Sequence, residues 1–82
     1  MITGAQIRAA RALLDWSARD LSRASRVSPA TIQRIERTQG VLQTAQARTL
    51  LDLRQALEGA GVEFIGTPED RPGVRLFRTA SA

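Results

Sequence analysis

Residues 17–36, SARDLSRASRVSPATIQRIE, contain the pattern that decides the fold of this chain. Ser17 is a good N-cap residue, and Asp20 follows three residues later, which approximates a capping box. Ser28 is a second N-cap, and Pro29 stands at the first helical position, where its missing N–H costs nothing. The pattern predicts two short helices separated by a tight turn. Helices joined by so short a turn cannot lie antiparallel over a long contact, so they cross steeply.

This arrangement is the helix-turn-helix motif, in which the second helix enters the major groove of DNA. The first predicted helix covers about 18–25 and buries Leu21, and the second covers about 29–37. Ile32 and Ile35 lie three residues apart and form the buried side of the second helix. Its remaining side chains are left to face outward, and they are Ala30, Thr31, Gln33, Arg34 and Arg37.

Another predicted helix precedes the motif. It begins at Thr3, where Gln6 completes a capping box, and it ends at 15–16. Apolar residues recur on it at helical spacing and mark a buried face, namely Ile7, Ala10 and Leu14. We interpret Trp16, the single tryptophan, as a core side chain between helices rather than a surface for ligand stacking.

The longest helical pattern follows the motif, over residues 45–59. Gly40 suits the end of the preceding helix because glycine readily takes the left-handed conformation, and Thr44 is the expected N-cap of the new helix. The stripe that this helix turns toward the core consists of Leu50, Leu53 and Leu57.

The last part of the chain differs in composition from the helical part that precedes it. Two short segments rich in β-forming residues, 62–65 and 74–78, flank a segment dense in turn residues, 66–73. The pattern predicts a two-stranded antiparallel hairpin, with residues 79–82 frayed. Because an isolated hairpin is marginally stable, we expect it to pack on the helices or to pair with another chain.

Length and composition exclude several classes of protein. With 82 residues the chain is near the lower size limit for a self-sufficient core. We divide it into a helical domain over 1–60 and a hairpin extension over 61–82. The chain has no cysteine and no histidine, so it lacks thiol nucleophiles, thiolate metal sites and the commonest general base. We therefore expect no enzyme, no cofactor and no metal site. Without a signal peptide or membrane span, a cytoplasmic, nucleoid-associated location is expected.

Positive charge is concentrated in the N-terminal part of the chain. Residues 1–48 carry eight arginines and three carboxylates, whereas residues 49–82 carry four arginines and five carboxylates. The basic part coincides with the predicted helix-turn-helix. This asymmetry indicates a polyanionic partner more strongly than the overall charge of +4 does.

Residues 21–36, LSRASRVSPATIQRIE, closely resemble the Cro/C1 (XRE-type) helix-turn-helix family. The Val-Ser pair, both isoleucines and the final glutamate are in register with the pattern of that family, and the likeness covers about residues 5–60. Arg26 departs from the pattern, because the family prefers glycine in the turn. Either Arg26 adopts a strained left-handed backbone, or the turn is reshaped and the angle between the helices differs. Ser22 replaces the usual alanine.

The resemblance implies a mainly α fold, a four- to five-helix lambda-repressor-like domain to which this chain adds a C-terminal β-hairpin. It also implies roles for particular residues. Those expected to read bases are Pro29, Ala30, Thr31, Gln33 and Arg34, and those expected to hold phosphates are Ser17, Arg19, Ser28 and Arg37. Arg11 is expected to pair with Glu36 and to fix the first helix against the third.

We expect a DNA-binding transcriptional regulator that acts as a homodimer on a pseudo-palindromic operator. The hairpin is the favoured dimer surface, since its strands otherwise present an open edge, and its contact residues would be Val62, Phe64, Ile65, Val74 and Leu76. The leucine-rich helix over 45–59 is the other candidate surface. The alternative function is a protein-interaction or antitoxin-like module that binds a partner protein through the hairpin.

Overall fold

Four α-helices are followed by one antiparallel hairpin in the computed structural model, which describes residues 2–38 and 47–77. The elements are α1 (Gly4–Leu14), α2 (Ala18–Ser25), α3 (Pro29–Arg37), α4 (Ala47–Gly59), β1 (Val62–Thr67) and β2 (Asp70–Leu76). The predicted fold class is confirmed. The interpretations of Gly40 and Thr44 and the expected fraying of 79–82 lie outside the described residues.

Side-chain caps set where the first three helices begin. Thr3 and Gln6 form a complete capping box at α1, and Ser17 and Asp20 form one at α2. The Ser28 hydroxyl accepts from the backbone N–H of Thr31 at the start of α3. Each cap satisfies backbone donors that have no partner within the helix, so the helix starts predicted from the sequence are confirmed.

The hydrophobic core is shared by all four helices and by β1. Its fully buried large side chains are Ile7, Leu21, Ile32, Ile35, Leu53, Leu57 and Val62. Trp16 is half-buried and packs against this cluster, in agreement with its interpretation as a core side chain. The hairpin therefore contributes to the same core as the helices, through Val62.

α1 and α3 approach each other closely at Gly4. A Cβ atom at this position would collide with the backbone carbonyl oxygen of Ile35 and would lie 3.1 Å from the Cα of Glu36. Neither of these backbone atoms can move without displacing α3. The absence of a side chain at Gly4 thus allows α1 to pack against the C-terminal end of α3.

The turn of the hairpin is shorter than the sequence predicted. The segment 66–73 was expected to be loop, but β1 runs to Thr67 and β2 begins at Asp70, and the two residues pair across the hairpin. The register is irregular between Ile65 and Thr67, where Gly66 has a φ of 74°. The turn-forming glycine is therefore used inside β1, at a β-bulge.

Gln6 attaches the hairpin to α1. Its side-chain oxygen accepts from the backbone N–H of Thr3, as the capping box requires, at 2.9 Å. Its amide nitrogen donates to the carbonyl oxygens of Ile65 at 3.1 Å and Gly73 at 2.9 Å. Gln6 is only 4% exposed. One buried side chain thus caps a helix and fixes both strands.

The hairpin residues that were expected to form the dimer surface do not all lie on one face of the hairpin. Val62 is completely buried in the core of its own protomer, and Phe64, Val74 and Leu76 pack against that core. Side chains alternate across a strand, so these four share the face that meets the helices. Among the five residues predicted to mediate dimerisation, only Ile65 lies on the outer face. The predicted set therefore mixes the two faces, because apolar character alone does not show which face is buried.

Candidate nucleic-acid interface

The turn between α2 and α3 keeps the left-handed backbone despite having no glycine. Arg26 has φ 66° and ψ 22°, and its backbone N–H donates to the carbonyl oxygen of Ser22 at 2.7 Å. Of the two alternatives considered for Arg26, the structure shows the strained one. The crossing of the two helices is therefore reached at the cost of an unfavourable conformation at Arg26.

The buried Ser25 side chain stabilises the same turn through hydrogen bonds to its backbone. Its hydroxyl donates to the carbonyl oxygen of Leu21 at 2.7 Å and accepts from the backbone N–H of Val27 at 3.2 Å. Ser25 is buried, so both bonds are shielded from water. This role of Ser25 is not among those predicted from the sequence. The available signal was a serine at a helix end, four residues after a backbone carbonyl that it can reach.

Replacing Arg26 with glycine should raise the free energy of unfolding by about 0.5–1 kcal/mol. Glycine relieves a left-handed backbone strain of about 1–2 kcal/mol. Part of this gain in stability is lost, because glycine also increases the backbone entropy of the unfolded chain. Urea denaturation measures the change. Asp15→Gly is the matched control: Asp15 has a φ of 56°, but aspartate tolerates this conformation better, so its gain should be smaller. A loss of stability in Arg26→Gly would contradict the strain argument.

α3 turns one face to the core and the other to solvent. Ile32, Ile35 and Glu36 are buried. The exposed side chains are Pro29, Ala30, Gln33, Arg34 and Arg37, and Thr31 is half-buried. The residues expected to read bases thus lie on the solvent side of α3 or at its margin. The geometry allows this face to enter a groove without disturbing the core.

Hydroxyl groups at the two helix starts are already engaged. The Ser28 hydroxyl donates to the Thr31 hydroxyl oxygen at 2.9 Å and accepts from the Thr31 backbone N–H at 3.2 Å. The hydroxyl hydrogen of Thr31 then remains available to donate to a partner outside the helix. Bonds from the backbone N–H and hydroxyl of Ser17 lower the pKa of Asp20. This exposed carboxylate stays charged at neutral pH and repels phosphate at the N-terminus of α2.

Arginines differ in their pairing between the motif and the rest of the molecule. Outside the motif, ion pairs join Arg48 to Asp52, Arg54 to Glu58, Arg71 to Asp70 and Arg75 to Glu63. Inside the motif only Arg23 is paired, at 3.6 Å from Asp20. Among residues 2–38 and 47–77, no carboxylate lies within ion-pair distance of Arg19, Arg26, Arg34 or Arg37. Apart from Arg8 on α1, the arginines of residues 2–38 and 47–77 that have no carboxylate partner therefore all lie on α2, the turn and α3.

Arg11 and Glu36 form a bidentate ion pair between α1 and α3. Arg11 Nε lies 2.7 Å from Glu36 Oε2, and Nη2 lies 2.8 Å from Oε1. The Glu36 side chain is only 6% exposed. The hydrogen bonds to Glu36 raise the pKa of the Arg11 guanidinium above its ordinary value. Arg11 Nη1 also donates to the Trp16 carbonyl oxygen at 3.0 Å. The pair thus fixes the orientation of α3 relative to α1.

Arg8 reinforces the same contact from α1. Its guanidinium donates to the backbone carbonyl oxygen of Glu36 at 3.1 Å, near the C-terminal end of α3. A cation there also interacts favourably with the helix dipole. This role of Arg8 is not predictable from the sequence, since nothing in the local pattern shows that this arginine faces α3.

The residues that the structure describes contain no group of acidic, cysteine or histidine side chains arranged to hold a metal ion. In the same part of the chain, no helix combines the length and the apolar character that crossing a membrane requires.

The model of the helix-turn-helix family matches residues 7–58, which is more than half of the chain and covers α2, α3 and most of α1 and α4. Neither a search of curated proteins nor a search of solved structures found a match.

Proposed function

The chain belongs to the Cro/C1-type helix-turn-helix family of DNA-binding regulators, and we propose that it is a sequence-specific transcriptional regulator that acts inside the cell, at the nucleoid, as a homodimer. The observation that carries this proposal is the set of arginines without carboxylate partners on α2, the turn and α3. Unpaired guanidinium groups on one structural motif are suited to a polyanion, and phosphate contacts supply much of the affinity for DNA.

Base recognition is assigned to the outer face of α3. Arg34 is the sharpest candidate, because a guanidinium can donate to both major-groove acceptors of guanine at once. Ala30 and Thr31 suit contact with a thymine methyl group, and Pro29 lies beside them at the start of the helix. Gln33 pairs with adenine or donates to a phosphate, since its amide fits either partner.

Phosphate contacts are assigned to the edges of the motif. Arg19 and Arg37 supply exposed, unpaired guanidinium groups on α2 and α3. Ser17 and Ser28 lie at the N-termini of these helices, where backbone N–H groups favour anions. Because the Asp20 carboxylate occupies the start of α2, the positive charge of Arg19 is needed to hold a phosphate there.

A homodimer accounts for specificity because it doubles the number of recognition helices that contact the DNA. One protomer offers a single recognition helix of nine residues, which provides few base contacts. Two copies would place their recognition helices about 34 Å apart and read the two half-sites of a pseudo-palindromic operator.

Selection from a randomised pool of double-stranded DNA tests the proposal. We expect an inverted repeat to be enriched, and Arg34→Ala to lower affinity for it by about 1–3 kcal/mol and relax preference at one position of each half-site. Fluorescence anisotropy at two salt concentrations measures affinity. Arg75→Ala is the matched control, because it removes an exposed arginine from the hairpin. Salt-sensitive binding without any enriched sequence would reject sequence-specific regulation in favour of a nonspecific role.

A protein-interaction or antitoxin-like module is the second candidate, and it is supported by the outer face of the hairpin. Ile65 is 36% exposed there, and Phe77, which directly follows β2, is 56% exposed. This candidate predicts a stoichiometric complex with a partner protein that forms without DNA. Failure to bind any DNA at low salt would favour it over the regulator.

A further inference from the structure

Nothing in the described part of the chain compensates for the strained backbone of Arg26. Residues 2–38 and 47–77 contain three non-glycine residues with positive φ, namely Asp15, Arg26 and Arg71. Aspartate tolerates this conformation, and the Arg71 guanidinium donates to the Asp70 carboxylate at 2.9 Å. The Arg26 guanidinium has neither an ion-pair nor a hydrogen-bond partner in the same part of the chain. No described contact of its side chain therefore offsets the strain.

The turn does not require an arginine at this position. Its backbone takes a left-handed conformation and donates an N–H to the Ser22 carbonyl oxygen, and glycine can do both without strain. Strained backbone residues in folded proteins are concentrated at binding and catalytic sites. The strain at Arg26 therefore indicates that its side chain serves a partner outside the protein.

The Arg26 side chain lies on the same side of the turn as the start of α3. Ser25 and Val27 are buried, whereas Arg26 and Ser28 are exposed, so burial alternates along the turn. Ser28 caps α3, and Pro29 is the first residue of its exposed face. Two residues of extended chain span at most about 7 Å, so Arg26 lies close to this end of the helix. The exposed side of the turn thus continues onto the outer face of α3.

A helix that enters the major groove brings the residues before it close to phosphates. The groove is about 12 Å wide, and an α-helix with its side chains is about 10–12 Å in diameter. The helix therefore fills the groove, and the chain that leads into it passes the sugar–phosphate backbone at the groove wall. An exposed arginine on that chain is within reach of a phosphate oxygen.

We propose that Arg26 is a phosphate-binding residue of the DNA interface, in addition to those assigned above. This inference rests on the proposed function, because it adds a contact to the same interface. The guanidinium binds a phosphate oxygen at the groove wall beside the start of α3, and this contact carries no sequence information. The strain lowers the stability of the protein, whereas the contact raises its affinity for DNA. Replacing Arg26 with glycine therefore changes stability and affinity in opposite directions.

Two variants of the full chain test the contact, with a short DNA duplex of mixed sequence as the probe. Arg26→Gly should have a higher urea midpoint than the original protein but bind the duplex about tenfold more weakly, since it loses a hydrogen bond between charged groups. The slope of log affinity against log salt concentration should fall in magnitude by about 0.9 per protomer, because one phosphate contact fewer releases counterions. Arg26→Lys should keep the slope and nearly all of the affinity, because lysine also binds phosphate as a point charge. Fluorescence anisotropy at several salt concentrations measures both quantities.

Arg71→Gly is the matched control. Arg71 is also a left-handed arginine, with a φ of 52°, but it lies in β2 of the hairpin, so its replacement removes the same charge away from the motif. This variant should leave affinity and slope unchanged. Equal weakening by Arg71→Gly would assign the effect to net charge and overturn the proposal. An Arg26→Gly variant that binds like the original protein would also overturn it, as would an Arg26→Lys variant as weak as Arg26→Gly.

Selection of a preferred sequence separates the failure of this inference from failure of the proposed function. If Arg26→Gly binds normally while Arg34→Ala still relaxes the preference for the selected sequence, DNA recognition stands and only the role of Arg26 is wrong. If the original protein does not bind the duplex at low salt, both proposals are overturned.

Discussion

Arg11→Met should lower the free energy of unfolding by about 3–5 kcal/mol, because it leaves a buried carboxylate without its partner. The Glu36 side chain is 6% exposed and receives two hydrogen bonds from Arg11. Methionine keeps much of the packing volume and removes every donor. A domain of this size is stable by about 4–12 kcal/mol, so the variant should be close to unfolding. Urea denaturation followed by circular dichroism measures the loss.

Two further variants separate the ion pair from general damage. Arg11→Met/Glu36→Leu removes both charges, and it should recover most of the lost stability, since well-packed apolar residues commonly replace a buried pair at little cost. Arg8→Met removes a single bond, 3.1 Å long, to a backbone carbonyl of the same region, and should cost about 1 kcal/mol. If the double variant were as unstable as Arg11→Met, the unpaired charge of Glu36 would not be the cause.

Much of the helical fold follows from local signals in the sequence. Ser17, Ser28 and Thr3 each cap the helix predicted to begin after them. A cap and its N–H partner are three residues apart, so both appear in one short window of sequence. The spacing of Ile32 and Ile35 likewise indicates the buried side of α3 and, by exclusion, its outer face.

Long-range contacts could not be predicted in this way. Gln6 was recognised as a cap, but its bonds to Ile65 and Gly73 join residues 59 and 67 positions apart. The close approach at Gly4 depends on backbone atoms of α3, which no local pattern reveals. The hairpin turn was predicted too long, because Gly66 resembles a loop residue whether it lies in a turn or at a bulge.

In the candidate site, too, some features follow from local sequence and others depend on long-range contacts. Periodicity places Arg34 and Arg37 on the outside of α3, and the charge of the N-terminal part indicates a polyanion. Which arginines are neutralised by carboxylates depends on the folded arrangement. Arg48 illustrates this: the sequence counts it with the basic N-terminal part, but the structure pairs it with Asp52 on α4.

Gln6→Glu should detach the hairpin from α1 while leaving the helix cap intact. Glutamate is a favourable capping-box residue at this position, and its carboxylate accepts from the Thr3 backbone N–H as the amide oxygen does. It cannot donate to Ile65 and Gly73, and its charge lies against their two carbonyl oxygens. We expect a loss of about 2–4 kcal/mol in the free energy of unfolding. Hydrogen exchange should show loss of protection in β1 and β2 before the helices are affected.

The dependence on pH distinguishes this cause from a simple packing defect. Burial and two facing carbonyl oxygens disfavour the charged form, so the pKa of the introduced carboxyl is raised in the folded variant above its unfolded value of about 4.3. The destabilisation is therefore smallest below that unfolded value, where the protonated group can donate one hydrogen bond, and it grows as pH rises through the folded pKa. Thr3→Ala is the matched control, because it removes a cap hydroxyl and leaves the Gln6 amide in place. It should cost about 1 kcal/mol and leave the hairpin protected. A Gln6→Glu variant with equal losses at pH 4 and pH 7 would show that shape, and not the two donated bonds, attaches the hairpin.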